Sequence, residues 1–428
     1  MSVYLPKGTR DLFGPSLAHR YAVIDTVRAV FTRFGFEPLE TPAFERIETL
    51  MGKYGDEGEQ LIYKILERGA GAAEGKADLA LRYDLTVPLA RFVAMNPGLR
   101  LPFKRYQVQP VWRADRPQKG RFREFWQCDV DIVGCTRMTA DAEALAVVNA
   151  ALTELGFSSF TIRLNHRALL RAVVDAAGVL DLEGPVLVAL DKLDKIGREG
   201  VTAELRERGL PLEAVGRLWG LVEGDLDHLA SELGPAGAGP VADLREVLAI
   251  AADLGVPEGV VRFDPTLARG LSYYTGPVFE TLVEEPKIGS ISGGGRYDGL
   301  VGMFSGKDVP AVGVSLGLER IITVMEELGM AGGATTTTQV LVTVFSDEQR
   351  GTSMRAAAAF RAAGVPTEVW LDAPGKVGKQ FKAANKQGIP WVVTIGPDEA
   401  VQGQVQLKDL RSGEQVTVPL AEAVARIS

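Results

Sequence analysis

Apolar positions spaced three and four apart, Ile24, Val27, Phe31 and Phe34, predict a helix over 16–35, with Ser16 as its cap and Gly35 closing it. The segment FEPLETPAFE that follows carries Pro38 and Pro42, which cannot donate to a ladder, so it reads as an edge or irregular strand. Short strands are expected at 61–66 and 79–82 around a Gly/Ala-rich turn, and Pro88 opens a helix just after Tyr83-Asp84-Leu85-Thr86. Across 103–134 two apolar-rich, strand-like ends flank a strongly basic middle. A helix over 139–156 follows, with Leu145, Val148, Leu152 and Leu155 on one face and Gly156 at its end. From 168 to 255 helical spacing dominates, apart from a strand signal just before it at 158–164. Strand patterns return at 260–263, at 269–274 and at 278–280, and 312–328 reads as a glycine-spaced segment entering a helix. After a linker, AGGATTTT at 331–338, strands and helices alternate: strand 340–345, helix 348–363, strand 367–371, helix 377–387, strand 391–395. Strands near 404–408 and 415–418 and a short helix finish the chain, which predicts a small α/β domain with a mainly parallel sheet.

The basic middle concentrates Arg113, Arg116, Lys119, Arg121 and Arg123 around Pro117 and Gly120, so 103–134 reads as strand, hairpin loop and returning strand. Arginine presents a planar fork that matches phosphate oxygens in pairs, and Phe125 or Trp126 can cover a purine face. A solvated basic turn on an ordinary hairpin is the plainer alternative. On the returning strand, period-two alternation puts Gln127, Asp129 and Asp131 on one face.

Composition narrows the chemistry. With 428 residues, 46% of them hydrophobic, the chain is long enough for two or three domains with real cores. No run of eighteen apolar residues occurs and the start lacks a signal-peptide core, so a cytoplasmic protein away from membranes is expected. Two cysteines, Cys128 and Cys135, and three scattered histidines, His19, His166 and His228, argue against a disulfide framework and against protein-bound zinc. The formal net charge of −8 argues against indiscriminate nucleic-acid binding, so any such partner must be met by local patches. One such patch is Lys376, Lys379, Lys382 and Lys386, a stripe along a single helix that is otherwise an ordinary solvated face. GSISGGGRYDG at 289–299 is not a dinucleotide fingerprint, and Gly306-Lys307 and Gly375-Lys376 are followed by Asp308 and Val377 rather than by the Ser or Thr of a P-loop. ATP use would have to rest on another architecture.

The hairpin resembles motif 2 of the class II aminoacyl-tRNA synthetases, and RPQKGRFREF is similar to the wording of the histidyl-tRNA synthetases. LARGLSYYTGPVFE at 267–280, GGGRYDGLVG at 293–302 and VGVSLGLERI at 312–321 point to the same family, in its order. FKAANKQGIPWVVTIG resembles the wording of its anticodon-binding domain. The resemblance implies an α/β protein with an α+β core: a catalytic core over 1–330 built on an antiparallel sheet flanked by helices and interrupted by a helical insertion at 168–255. A linker at 331–338 and an α/β anticodon-binding domain at 339–428, bearing the lysine stripe, would complete it.

Its implied activity is the joining of histidine to tRNA: ATP and histidine give histidyl-adenylate and pyrophosphate, and histidine then passes to the 3′ end of its tRNA. Carried over by position, Arg113 would touch the α-phosphate, Arg121 the outer phosphates, Phe125 and Arg320 the two faces of adenine, and Asp115 its amino group. Arg269 would reach the α-phosphate from the opposite side, and Mg²⁺ would accompany ATP. Asp84, Thr86 and Gln127 would hold the amino-acid backbone and Asp131 the ring, with Tyr273 and Tyr274 closing the far side. Asp84 can equally cap the helix that follows, and Asp131 can equally pair with a nearby arginine. Ser272 departs from the Asp found in many members. The helix and strand around Pro42 match motif 1 and imply a homodimer, although a helix and edge strand that simply cover a core would read the same way. A histidine-binding regulatory paralogue that controls histidine biosynthesis is the competing reading. It would lack the tail and the catalytic arginine, both of which are present here. Prolyl, threonyl or glycyl synthetases fit the ARGLSYYTG stretch poorly.

Overall fold

The computed structural model describes residues 3–268, 273–330, 335–374 and 376–428. It divides into two compact units, one comprising the N-terminal segment through Arg10 with Ala22–Met330, the other Asp11–Tyr21 with Ala331–Ser428.

The first unit is organised by an eight-stranded sheet. Its strands in chain order are β1 (Glu37–Pro38), β5 (Phe103–Trp112), β6 (Glu124–Val133), β7 (Thr161–His166), β8 (Val261–Phe263), β9 (Pro277–Leu282), β10 (Ser292–Arg296) and β11 (Ala311–Gly317), and a small separate sheet is made of β2 (Phe44–Arg46), β3 (Lys64–Leu66) and β4 (Ala77–Leu81). The large sheet runs β1-β5-β6-β11-β10-β9-β7-β8, antiparallel throughout except for parallel pairs at its two edges, β1 on β5 and β7 on β8. The proline-bearing segment is thus an edge strand, as its missing donors require.

Alternation along β6 builds both faces of the sheet. Cys128, Val130 and Ile132 point into a core shared with Leu145, Val148 and Leu152 of the helix Thr139–Glu154. Gln127, Asp129 and Asp131 are buried on the opposite face. Between Arg167 and Asp253 the chain is helical, its apolar side chains continuous with that same core.

Three local expectations change. The N-terminal helix spans Gly14–Arg33, so Ser16 lies inside its first turn and its hydroxyl donates to the carbonyl of Phe13 at 2.9 Å instead of capping. The Gly/Ala-rich turn between β3 and β4 contains a helical turn, Ala70–Ala73. Tyr273 and Tyr274 are not in a strand, while 269–272 lie outside the described residues.

In the second unit the strands are β12 (Val340–Val342), β13 (Thr367–Val369), β14 (Trp391–Thr394), β15 (Gln404–Asp409) and β16 (Gln415–Pro419), in the order β13-β12-β14-β15-β16. Only the first three are mutually parallel; β15 and β16 form an antiparallel hairpin, so the sheet is mixed and not mainly parallel. A short helix, Pro397–Gln402, lies between β14 and β15. Helix Val377–Gln387 is fixed from below by Gln380, whose side chain bonds both the N–H and the carbonyl of Val344 at 2.9 Å. Lys379, Lys382 and Lys386 on that helix, and Lys376 just before it, are exposed.

Candidate active site

The polar face of the central strands lines a cleft of about 1610 Å³, and the two ends of that cleft are built differently.

At the inner end the sheet register lays out rows of polar groups. Arg105, Gln107 and Gln109 of β5 stand opposite Asp131, Asp129 and Gln127 of β6, which in turn face Gly313, Ser315 and Gly317 of β11. Arg105 is fully buried, with Nη2 2.8 Å from Asp131 Oδ2. The Tyr297 hydroxyl donates to Asp131 Oδ1. Behind Arg105 the chain of bonds continues, since Arg105 Nη1 donates to Gln107 Oε1 at 3.2 Å and Nη2 to the Leu85 carbonyl at 3.2 Å. Gln107 Nε2 donates in turn to Thr41 Oγ1 at 2.9 Å and to Gln109 Oε1 at 2.7 Å, and Arg82 donates to that same Gln109 oxygen at 2.8 Å. Asp131 is therefore both a pocket-lining group and a partner of a nearby arginine, one on the neighbouring strand and not in the hairpin loop.

Asp84 also has two roles. Its Oδ1 accepts from the Val87 N–H at 3.1 Å, capping the helix Thr86–Met95, and from the Tyr54 hydroxyl at 2.9 Å. Gln127 Nε2 donates to Ser315 Oγ at 2.8 Å, leaving that hydroxyl's proton for Asp129. Tyr273 packs edge-on against Tyr274 and Tyr297, with centroids 4.9 and 5.9 Å away.

Two glycines keep the floor open. A Cβ on Gly313 would fall 1.9 Å from Asp131 Oδ1, and one on Gly295 would fall 2.9 Å from the Tyr274 ring. Only hydrogen at these positions leaves room for the groups above them.

Six buried side-chain polar atoms among the described residues lack a hydrogen-bond partner: Asp84 Oδ2, Gln127 Oε1, Asp129 Oδ1, Asp131 Oδ2, Arg105 Nε and, elsewhere, His19 Nε2. Asp131 Oδ2 meets Arg105 as an ion pair without the alignment of a hydrogen bond. Four of the six, all of them acceptors, belong to residues that line this cleft, and a buried group of this kind costs about 1–3 kcal/mol unless something supplies its bond. Burial pushes the Asp84 and Asp131 carboxyls up, though Arg105 opposes the shift at Asp131. Asp129 is pushed up to about 7, by burial first and by the neighbouring Asp131 charge, against the pull of Arg105. The pocket is a set of acceptors looking for donors.

At the outer end the cations are held by borrowed partners. Arg113 Nε donates to the Tyr83 carbonyl at 3.0 Å, and its guanidinium lies 4.2 Å from the Tyr83 ring centroid and 5.2 Å from that of Phe125. Arg121 Nη1 is 3.6 Å from Asp115 Oδ1, Lys119 pairs with Glu327, and Arg320 donates to the Ser290 carbonyl. A tight turn joins Gln118 and Arg121 through two backbone bonds of 3.1 and 2.9 Å, with Gly120 at φ +68° as the turn demands.

Of the residues singled out in the sequence, Asp84, Thr86, Arg113, Asp115, Arg121, Phe125, Gln127, Asp131, Tyr273, Tyr274 and Arg320 all line this cleft. Arg269 and Ser272 lie outside the described residues. Sequence reasoning missed Arg105, Tyr54, Tyr297 and Ser315. The polar alternation Arg105, Gln107, Gln109 along β5 was the available signal for the first.

Comparison with known proteins agrees with this architecture. The family profile described as histidyl-tRNA synthetase matches residues 8–321, and one described as anticodon binding domain matches 339–428. A histidine–tRNA ligase of Cytophaga hutchinsonii is 42% identical over 99% of both chains. One of Aeropyrum pernix is 43% identical over 99% of this chain and 97% of its own. The crystal structure of histidyl-tRNA synthetase from Nostoc sp. superposes with a TM-score of 0.86 at 34% identity, covering 100% of this chain and 99% of that one.

Proposed function

The chain belongs to the histidyl-tRNA synthetase family, and from that premise we propose that it works as a histidine–tRNA ligase. It activates histidine with ATP, releasing pyrophosphate, and passes the histidyl group to the 3′ end of its tRNA. The observation that carries the amino-acid half is the cluster of buried acceptors without donors at Asp84, Gln127 and Asp129, beside the Asp131 carboxylate. Histidine brings an ammonium group and a ring N–H, the donors such a pocket needs. Asp84, Thr86 and Gln127 hold the ammonium end. Asp131 accepts from the ring, in an orientation fixed by Arg105 and Tyr297, and Tyr273 and Tyr274 wall the far side. The match of an anticodon-binding domain over 339–428 favours the ligase over a regulatory paralogue without that domain.

Activation needs the attacking carboxylate aligned with the α-phosphate and the growing charge neutralised, so positioned cations do most of the work. Arg113 serves the α-phosphate and Arg121 the outer phosphates, each exchanging a protein partner for a phosphate oxygen. Phe125 and Arg320 sandwich the adenine, with Asp115 at its amino group. Arg269, in the segment outside the described residues, serves the α-phosphate from the other side. Mg²⁺ would accompany ATP and supply charge neutralisation at its phosphates. The exposed lysines of helix Val377–Gln387 read the tRNA anticodon, the segment around Pro42 forms a homodimer interface, and the enzyme works in the cytoplasm. None of its described helices is long and apolar enough to cross a membrane.

ATP–pyrophosphate exchange measured with each amino acid in turn tests the reading. Exchange should appear with histidine alone; exchange with a different amino acid, or none with histidine, sinks it.

A further inference from the structure

We propose that the N-terminal segment Pro6–Arg10 is a strap that positions the ATP-binding hairpin loop against the helix carrying Arg320, with Gly8 and Arg10 as its positioning residues. The inference rests on the reading of this cleft end as the ATP subsite.

The strap is built from a turn and two anchors. Thr9 N–H donates to the Pro6 carbonyl at 3.1 Å, and Gly8 has φ +85° at the third position, the left-handed value that a type II turn requires there. The turn's first anchor is on the returning arm of the hairpin, where the Arg123 N–H donates to the Gly8 carbonyl at 2.8 Å. Arg123 is itself locked across the loop, its Nε donating to the Asp115 carbonyl at 3.1 Å and its carbonyl accepting from Arg113 N–H at 2.9 Å. The packing is close: a Cβ on Gly8 would fall 2.8 Å from both Arg123 Cγ and Pro117 Cγ.

Arg10 supplies the second anchor and spans two elements. Its guanidinium carbon lies 3.7 Å from the Phe122 ring centroid, next to Arg121, and Nη2 is 3.4 Å from Glu319 Oε1. Glu319 is almost wholly buried, lies in the first turn of the helix Leu318–Glu327 one residue before Arg320, and accepts from the Trp126 N–H at 2.9 Å through its other oxygen. Arg10 thus joins the loop side chain beside the outer-phosphate arginine to the carboxylate beside the adenine arginine. The distance between Arg121 and Arg320 fixes the span an ATP molecule must fit. The strap sets that span from outside the cleft, since neither Gly8 nor Arg10 lines it.

A positioning role of this kind should act on ATP and spare histidine, whose subsite stands on β5, β6 and β11. Exchange kinetics of the full-length protein provide the test, using wild type, Arg10→Ala, Arg10→Lys and Gly8→Ala, each with its melting temperature. Arg10→Ala should raise the ATP KM about tenfold, the size expected for one cation–π contact with one half-buried ion pair, and move the histidine KM less than about twofold. Arg10→Lys, which keeps a cation for both partners, should recover most of the loss. Gly8→Ala should act like Arg10→Ala. An unchanged ATP KM in Arg10→Ala and Gly8→Ala overturns the proposal, as do equal rises in both KM values with a lowered melting temperature. Failure of wild type itself to exchange with histidine would instead overturn the functional reading.

Discussion

The two ends of the cleft solve opposite problems. At the inner end the polar groups are buried and fixed by the sheet register: Asp131, 3% exposed, is held by Arg105 and Tyr297, while Asp84, Gln127 and Asp129 each keep an oxygen without a donor. At the outer end the cations are partly exposed and already occupied, Arg121 by Asp115 and Lys119 by Glu327, with side-chain exposures of 42% and 72% for the two cations. An exposed ion pair contributes little, about 0–1 kcal/mol, so a phosphate can displace it cheaply. A buried acceptor without its donor is costly, so the inner pocket discriminates sharply between a ligand that supplies the right donors and one that does not. On the proposed reading, selectivity falls where the polar groups are buried, and exchange of partners where they are solvated.

That contrast is broken most directly at Asp131. Asp131→Ala removes the proposed ring acceptor and strands Arg105, a fully buried charge, at a cost of about 3–5 kcal/mol. The histidine KM should rise by about two orders of magnitude or more while the ATP KM moves less than a few-fold, both read from exchange kinetics. Equal rises in the two, or none in the histidine value, would return Asp131 to the scaffold. At the other end a smaller effect is expected. Arg121→Ala loses a half-exposed cation that water and neighbouring arginines partly replace, so the ATP KM should rise about tenfold with the histidine KM unchanged. If Arg121→Ala disturbs histidine binding as much as ATP binding, the two ends are not independent.

How much of this was legible depended on how far apart the partners lie in the chain. The hairpin and the shared face of Gln127, Asp129 and Asp131 follow from local alternation, and both are present in the structure. Tyr297 reaches Asp131 across 166 positions and Ser315 reaches Gln127 across 188, contacts that only the order β5-β6-β11-β10 creates. No periodicity within a window encodes them. Arg105 was closer to hand, but a single arginine inside a strand is a fainter signal than five cations crowded into a loop. In the second unit the alternation of strand and helix was real up to β14. The direction reverses first at β15, which is antiparallel to β14 despite the helix between them, and again at β16, where a loop of a few residues allows only an antiparallel return.

The smallest expected effect is also the one that separates charge from shape at the inner end. Asp129 faces Gln107 on β5, Ser315 on β11 and Asp131 two residues along its own strand, with Asp84 and Arg105 adding to the field around it. Burial raises its carboxyl to about 7, above the value near 4 of an unfolded chain. Between those two values the folded protein retains a proton that the unfolded chain has released, so stability is greatest below the window and declines as pH climbs through it. An amide in place of the carboxyl cannot titrate. Asp129→Asn should therefore melt close to wild type near pH 5 and a few degrees above it at pH 8, since every tenfold difference in proton affinity between the folded and unfolded chain corresponds to about 1.4 kcal/mol. Histidine at saturating concentration should narrow the gap at pH 8, because its ammonium favours the ionised carboxylate that the empty pocket resists. Parallel melting curves for the two proteins from pH 5 to pH 8, without ligand, would mean that Asp129 ionises normally and that the inner end tolerates its full negative charge.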